Sequence, residues 1–91
     1  MLTDKPTDAE IEETIHRTIL DLLESSGREV RVFDDDDDLV STGLTSLDMA
    51  ALVARLARRW RTDPFLETNS ITEVRTVGDF CRVYQTCING A

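Results

Sequence analysis

Residues Gly43–Asp48 read Gly-Leu-Thr-Ser-Leu-Asp, and they join an acidic connection to an amphipathic helical pattern. Gly43 suits a sharp turn because glycine tolerates positive φ, and Ser46 is of a residue type preferred for capping a helix. Apolar residues then recur at spacings of three and four, which predicts a helix from Ser46 to Trp60 or Arg61. Its predicted core-facing residues are Met49, Leu52, Val53, Leu56 and Trp60. The stretch therefore predicts a serine presented at a helix start.

A second face of this helix carries small apolar side chains. They are Leu47, Ala50, Ala51, Ala54 and Ala57. Alanine is the best helix former, so helix propensity alone is one explanation of the strip. The alternative is a smooth surface beside Ser46 on which a partner protein docks.

Two further helices are predicted on either side. The first begins at a capping-box pattern, Thr7 to Glu10, and Gly27 suits its end. The last, of about 12 residues, begins at the similar pattern Thr76–Asp79 and stops at Asn89–Gly90. The predicted core residues of the first helix are Ile11, Ile15, Ile19, Leu22 and Leu23, and those of the last are Val77, Phe80, Val83 or Tyr84, and Cys87.

Pro64 interrupts the second helix, because the residue before a proline disfavours the α region. Residues 64–75 are predicted to hold at most a short helical turn, with core residues Phe65, Leu66, Ile71 and Val74, and Met1–Lys5 to be a frayed terminus. We therefore expect an all-α fold. It is a small bundle of three main helices plus a short third turn or helix, with a long loop between helices 1 and 2.

The long connection, residues 28–45, contains apolar residues that we expect to anchor it on the helices. These are Val30, Val32, Phe33, Leu39 and Val40. Val30–Val32 alternates like a strand, but no second strand pattern exists to pair with it, and a lone strand is not stable.

Five consecutive aspartates, Asp34–Asp38, lie within this connection and are called the acidic loop below. Alternate aspartates fit the first three ligand positions of an EF-hand, but Leu39 stands at the sixth position and Thr45 at the twelfth. We interpret the run as a solvated loop and assign no metal site, while weak divalent binding to the clustered carboxylates stays open.

The chain has 91 residues, 41% of them hydrophobic, and a formal net charge of −8. This suits one domain, residues 1–91, with a modest core. Residues 1–48 hold 14 acidic and 4 basic side chains, whereas residues 49–91 hold 4 and 6. An acidic field repels nucleic acid and anionic membranes, and no apolar run approaches the roughly 20 residues that span a bilayer. We expect no nucleic-acid or membrane binding, and partners with basic patches.

Cys81 and Cys87 fit neither a Cys-x-x-Cys redox pair nor a zinc-binding spacing. On one helix they would point about 240° apart, so they cannot easily form a disulfide. No secretory apolar region follows Met1. We expect a reduced, cytoplasmic setting and a monomer.

Catalysis by Ser46 would require a base to take its proton, and residues Gly43–Asp48 contain neither histidine nor lysine. His16 is a lone histidine with no neighbouring nucleophile or second ligand in sequence, so we expect it at the surface. The alternative that the protein is a small hydrolase using Ser46 is therefore disfavoured, because the required base is missing. We assign no catalytic residue.

Gly-x-x-Ser-Leu before a helix resembles the attachment site of the acyl and peptidyl carrier proteins. Gly43, Ser46 and Leu47 match the family pattern Gly-x-Asp-Ser-Leu, and Thr45 stands where Asp is typical. Residues 74–77 are similar to the Ile/Val-x-Thr-Val element that opens the family's last helix, and Trp60 falls where the family commonly has an aromatic residue. The resemblance covers about residues 7–88.

The resemblance implies a 4′-phosphopantetheine arm on the Ser46 hydroxyl, on which acyl groups are carried as thioesters. A phosphodiester there would also be favoured by the positive end of the helix dipole. The protein would be a non-catalytic carrier and the substrate of a phosphopantetheinyl transferase. Its other implied partners are an acyl- or aminoacyl-loading enzyme, either an adenylating enzyme or an acyltransferase, and downstream synthase or tailoring enzymes.

The resemblance also suggests which residues partners recognise and which shield a carried chain. The recognition residues are Leu44, Thr45, Leu47, Asp48, Ala50, Ala51 and Ala54. The shielding residues are Leu44, Leu47, Phe33 and Met49, for which ordinary core packing is the alternative explanation. If the usual Asp helps to position the transferase, Thr45 is expected either to weaken recognition by a generic transferase or to demand a dedicated one.

Helix two lacks the several acidic residues usual in carriers of fatty acid synthesis. We therefore expect a free-standing carrier of specialised metabolism, such as polyketide antibiotic biosynthesis. A peptidyl or aminoacyl carrier of a nonribosomal peptide pathway stays open, as does an unmodified helical interaction domain.

Overall fold

The computed structural model describes residues 5–27, 29–30, 32–67 and 74–90. In chain order the helices are α1 (Asp8–Ser25), a 3-10 turn (Val40–Thr42), α2 (Ser46–Trp60), α3 (Pro64–Glu67) and α4 (Val77–Asn89). Within these ranges the β-type pairing consists of one isolated antiparallel bridge between Asp38 and Thr76. The predicted all-α bundle of three main helices and one short helix is confirmed.

The predicted start and stop signals of α1 are confirmed. The Thr7 hydroxyl accepts a hydrogen bond from the Glu10 amide at 3.1 Å, and the Thr7 amide donates to the Glu10 carboxylate at 2.8 Å. The amides of Thr7 and Glu10 at the start of α1 have no partner within the helix, and the capping box supplies one for each. Gly27 follows the helix with φ of 73°.

Helix α1 lies at the centre of the bundle, where it contacts both α2 and α4. All five of its predicted core residues are buried. In α2 only Leu52 and Leu56 are buried, while Met49, Val53 and Trp60 are half-buried against the core. All five predicted residues are thus in the core or packed against it, so the predicted core face of α2 is confirmed.

The core face of α4 differs from the predicted stripe at Cys81, Cys87 and Ile88. Its buried residues are Val77, Phe80, Cys81 and Tyr84. Cys87 is exposed, contrary to prediction, and Ile88 packs against the core instead. A helix places residues i and i+11 on one face, which selects Ile88 over Cys87. Both cysteines are free thiols, as their spacing indicated.

Aromatic rings close the core between α2, α3 and α4. The Tyr84 ring lies 5.1 Å from Phe80, 5.7 Å from Trp60 and 5.9 Å from Phe65, measured between centroids. These separations are typical of favourable aromatic pairs. The predictions for Ile71, for the side chain of Leu66 and for residues 1–4 lie outside the described residues.

The long connection is anchored differently from the prediction. Val32 is 99% exposed and Val40 77% exposed, and Val30 is also exposed, so these three residues are not anchors. Leu39 is buried and Phe33 packs partly against the core, as expected. Most of the anchoring is instead supplied by backbone hydrogen bonds to the start of α4, described below. None of the helices in the described ranges combines the length and hydropathy that a bilayer crossing requires.

Candidate functional site

The turn before Ser46 is fixed by one glycine and one buried leucine. Gly43 has φ of +103°, and a Cβ at this position would lie 3.4 Å from a methyl carbon of Leu23. Leu44 is 5% exposed and belongs to the core. Positive φ disfavours residues with a side chain, so glycine lets the chain turn sharply before Leu44 anchors it.

Thr45, and not Ser46, is the N-cap of α2. The Thr45 hydroxyl accepts from the Asp48 amide at 3.2 Å, and the Thr45 amide donates to the Asp48 carboxylate at 3.0 Å. The prediction that Ser46 caps the helix is therefore wrong by one residue, because the capping box requires an acid three positions later. Threonine and aspartate are both good N-cap residues, so Thr45 keeps the cap where the carrier family typically has Asp.

Ser46 is the first residue of α2 and is exposed. Its side chain borders an apolar groove with a volume of about 400 Å³, called the Ser46 groove below. The other lining residues are Leu39, Val40, Met49, Ala50 and Val74. This volume falls within the roughly 300–1,000 Å³ of small-molecule sites. Since the capping box uses Thr45, the Ser46 hydroxyl is not needed to hold the helix.

No general base is positioned at Ser46 within the described residues. His16 hydrogen-bonds to Asp35 through its Nε2 atom, and no side chain in the described ranges hydrogen-bonds to the Ser46 hydroxyl. Lys5 lines a surface pocket with Arg59 and Trp60. These two residues lie near the far end of α2, about 20 Å from Ser46 at 1.5 Å per residue. A serine nucleophile needs such a base to take its proton.

The predicted recognition residues divide into exposed and supporting groups. Leu47 is 79% exposed, and Ala50 and Ala54 are exposed beside it. Ala51 is half-buried and packs on the core, and Leu44 is buried, so these two offer a partner little surface. Part of the small-residue strip thus serves helix packing, and the rest, with Leu47, faces solvent next to Ser46.

The predicted shielding residues do not form one surface. Met49 lines the Ser46 groove, but Phe33 lies in another depression together with His16, Leu20 and Val30. The rings of Phe33 and His16 are 5.0 Å apart. The groove also contains Val40 and Val74, which the sequence analysis did not assign to a surface beside Ser46.

The acidic loop is not simply solvated, contrary to our interpretation of the sequence, since its backbone is clamped on the start of α4. Asp35 accepts from the Gly78 amide and Asp37 from the Val77 amide, each at 2.9 Å, and the Leu39 amide donates to the Arg75 carbonyl at 2.9 Å. Asp35 and Asp37 are half-buried, and the other three aspartates are exposed. This clamp fixes the segment that leads into Ser46.

Gly78 permits this clamp, a role that the sequence analysis missed. A Cβ on Gly78 would lie 3.1 Å from both the Cβ and the carbonyl oxygen of Asp35. Such a contact is tighter than ordinary packing. The signal in the sequence was a glycine inside the first turn of a helix, where alanine would otherwise be preferred.

The start of α4 is held by the same type of cap as α2. The Asp79 carboxylate accepts from the amides of Thr76 at 3.2 Å and Arg75 at 3.3 Å. These backbone hydrogen bonds, Thr76 first, lower the pKa of Asp79 because they stabilise the ionised carboxylate. The two helix starts thus share one capping chemistry.

No family model matches the chain, and no curated protein matches it. The fold is similar to the solution structure of MacpD, an acyl carrier protein from Pseudomonas fluorescens involved in mupirocin biosynthesis. The two chains are 28% identical, with a TM-score of 0.79 over 92% of this chain and 74% of that chain. This similarity confirms the resemblance inferred from the sequence and the small helical bundle. The chain is acyl-carrier-protein-like over nearly its whole length.

Proposed function

We propose that this protein carries acyl intermediates as thioesters on a 4′-phosphopantetheine arm attached to Ser46, in a polyketide-type pathway. The observation that carries the proposal is the position of Ser46. It is an exposed hydroxyl at the first residue of α2, beside an apolar groove, in a fold similar to an acyl carrier protein. The involvement of MacpD in mupirocin biosynthesis supports a role in specialised metabolism.

The electrostatics of the helix start favour a phosphodiester on Ser46. The first amides of a helix lack partners within the helix, and the helix dipole is positive at this end. In α2 the Asp48 amide is bonded to Thr45, whereas no hydrogen bond involves the amides of Ser46 and Leu47 within the described part of the chain. Those two amides lie next to the proposed attachment atom and would stabilise the added negative charge.

The Ser46 groove gives the arm a surface to lie on. Its walls are aliphatic apart from Ser46, and Met49 is an unbranched, adaptable side chain. The role of the protein would be to expose the thioester to each enzyme in turn. Leu47 and Val40, both largely exposed apolar residues beside the groove, would provide contacts for those enzymes.

Modification of Ser46 is tested by intact mass. The apo-protein is incubated with coenzyme A and a broad-specificity phosphopantetheinyl transferase, and we expect the addition of one phosphopantetheine. Ser46→Ala should abolish the mass gain. Ser41→Ala is the matched control, because Ser41 is an exposed hydroxyl just before the same turn, and it should be modified like the original protein.

Two results would contradict the proposal. One is a folded protein that gains no mass with several transferases, which would favour an unmodified interaction domain. The other is modification that persists in Ser46→Ala. Once the arm is attached, loading by acyltransferases compared with adenylating enzymes distinguishes an acyl carrier from an aminoacyl carrier.

A further inference from the structure

Three potential metal ligands from distant parts of the sequence meet on the side of the bundle formed by α1, the acidic loop and α4. They are His16 on α1, Asp35 in the acidic loop and Cys81 on α4. Their ligand atoms all lie within 4.8 Å of one another, and the His16 Nε2 atom is 2.9 Å from the Asp35 carboxylate. The proposed carrier chemistry of Ser46 uses none of them.

The fold fixes the backbone of Asp35, the ring of His16 and the buried side chain of Cys81. The backbone of Asp35 accepts a hydrogen bond from the Gly78 amide, and the absence of a Cβ on Gly78 allows this approach. The Phe33 ring packs against the His16 ring at 5.0 Å. Cys81 is 2% exposed on the core face of α4. Little conformational entropy is therefore left to lose when a ligand binds, which favours binding.

We propose that His16, Asp35 and Cys81 form a binding site for a zinc-class divalent ion. One nitrogen, one oxygen and one sulfur donor suit Zn²⁺, whereas Mg²⁺ and Ca²⁺ prefer oxygen donors alone. Bond lengths of about 2.0 to 2.3 Å in a tetrahedron place donors about 3.3 to 3.8 Å apart. The His16–Asp35 separation would widen slightly, and the Cys81 thiol would approach by about 1 Å or less.

Glu12 supplies a second acidic group beside this cluster. It lies one helical turn before His16, and the neighbouring Asp35 side chain, together with burial, raises the pKa of Glu12. Two carboxyl groups in proximity repel each other when both are ionised, and a divalent cation removes this repulsion. Water would complete the four-coordinate site.

Binding exchanges the thiol proton for the ion. An ordinary cysteine thiol has a pKa of about 8.5 and is therefore mostly protonated near pH 7. Coordination forms a metal–sulfur bond, breaks the S–H bond and releases the proton to the buffer, with no change of oxidation state. The side chains of His16 and Asp35 are 26% and 41% exposed, which leaves the ion a route from solvent.

The site would connect α1, the acidic loop and α4. The acidic loop leads directly into the turn before Ser46, so an ion here would stabilise the segment that presents the serine. The site does not depend on modification of Ser46, so its test uses the unmodified protein.

The experiment titrates chelator-treated protein with Co²⁺ and with Zn²⁺. Co²⁺ reports a thiolate ligand through a sulfur-to-metal charge-transfer band in the near ultraviolet, and Zn²⁺ should displace it. The expected result is one ion per chain, and an increase in melting temperature of roughly 10 °C when free Zn²⁺ is about 100 times Kd. Cys81→Ala should lose the band, and His16→Gln should weaken binding by about tenfold or more.

Two variants control for adventitious binding. Cys87→Ser removes the exposed thiol, and Asp36→Asn removes an exposed carboxylate of the same loop, so both should keep the band and the affinity. The proposal is overturned if no charge-transfer band forms, or if the band survives Cys81→Ala. Loss of the band in Cys87→Ser, or an unchanged affinity in His16→Gln, would also overturn it. Because His16→Gln leaves the buried core intact, it stays informative even if Cys81→Ala fails to fold.

Discussion

The starts of α2 and α4 have the same capping chemistry and opposite surroundings. Thr45 caps α2 as Thr76 caps α4, each paired with an aspartate three residues later. The first helical residue is the exposed Ser46 in α2, but in α4 it is Val77, which is 0% exposed. The capping box therefore determines where a helix begins, but not whether that position is open to another enzyme.

The acidic loop produces this difference. It hydrogen-bonds to the amides of Val77 and Gly78, so the first turn of α4 is covered by backbone from another part of the chain. At α2 the equivalent positions, Ser46 and Leu47, remain exposed. The exposed start of α2 is accessible to another protein. The covered start of α4 instead binds the acidic loop through backbone hydrogen bonds.

Exchanging the first helical residues should give the largest effect on stability. Val77→Ser removes a buried side chain and buries a hydroxyl, and we expect a loss of about 2 to 4 kcal/mol in the free energy of unfolding. Ser46→Val should change it by less than about 0.5 kcal/mol, because the site is exposed and Thr45 supplies the cap. Urea denaturation followed by circular dichroism measures both. Equal losses in the two variants would show that the two helix starts do not differ as described.

The second helical residues test the clamp directly. Gly78→Leu should cost up to about 2 kcal/mol, since overpacking against Asp35 costs roughly 1 to 3 kcal/mol and the gain in helix propensity offsets about 1. Leu47→Ala, at the matched position of α2, should stay within about 0.5 kcal/mol.

Amide hydrogen exchange locates this effect. In Gly78→Leu the amides of Leu39 and Val77 should exchange faster, because both hydrogen bonds join the connection to the α4 region. In Leu47→Ala they should exchange as in the original protein. Unchanged exchange in Gly78→Leu would mean that the acidic loop is held by other contacts.

Removing the N-caps should have the smallest effect on the free energy of unfolding. The losses should also be similar at the starts of α2 and α4. Thr45→Ala and Thr76→Ala should each cost about 1 kcal/mol, since each removes one N-cap hydrogen bond. Thr45→Asp should retain the stability that Thr45→Ala loses and should be modified faster by a generic transferase, because aspartate restores the residue typical of the carrier family.

These rates are compared by time-resolved intact mass with Thr76→Asp as the control, which alters the other cap in the same way. If Thr45→Asp is modified no faster than the original protein, the transferase does not recognise the side chain at position 45.

Much of the architecture followed from local patterns. The α1 capping box, the five buried positions of α1 and the ends of α2 were correct because each depends on residues within one or two turns. The position of Ser46 at a helix start was also predicted correctly, although Thr45, and not Ser46, caps the helix. These features are local, so a single stretch of sequence is sufficient to predict them.

The errors concerned surfaces that face other parts of the chain. Val32 and Val40 were predicted as anchors but are exposed, and Cys87 was predicted in the core but lies outside it. An apolar side chain has no preference for a particular partner until the helices are placed, since burial is non-directional. Backbone hydrogen bonds decided the path of the connection, and side-chain patterns do not encode them.

The sequence by itself determined the main helices, the caps of α1 and α4, and the serine at the start of α2. Only the tertiary structure decided that the acidic loop covers the start of α4, that Ser46 borders a groove, and that His16 meets Asp35 and Cys81. The physical reason is the distance along the chain over which each interaction acts. Capping and helical periodicity act over three to four residues, whereas accessibility and the meeting of ligands depend on how separate elements pack together.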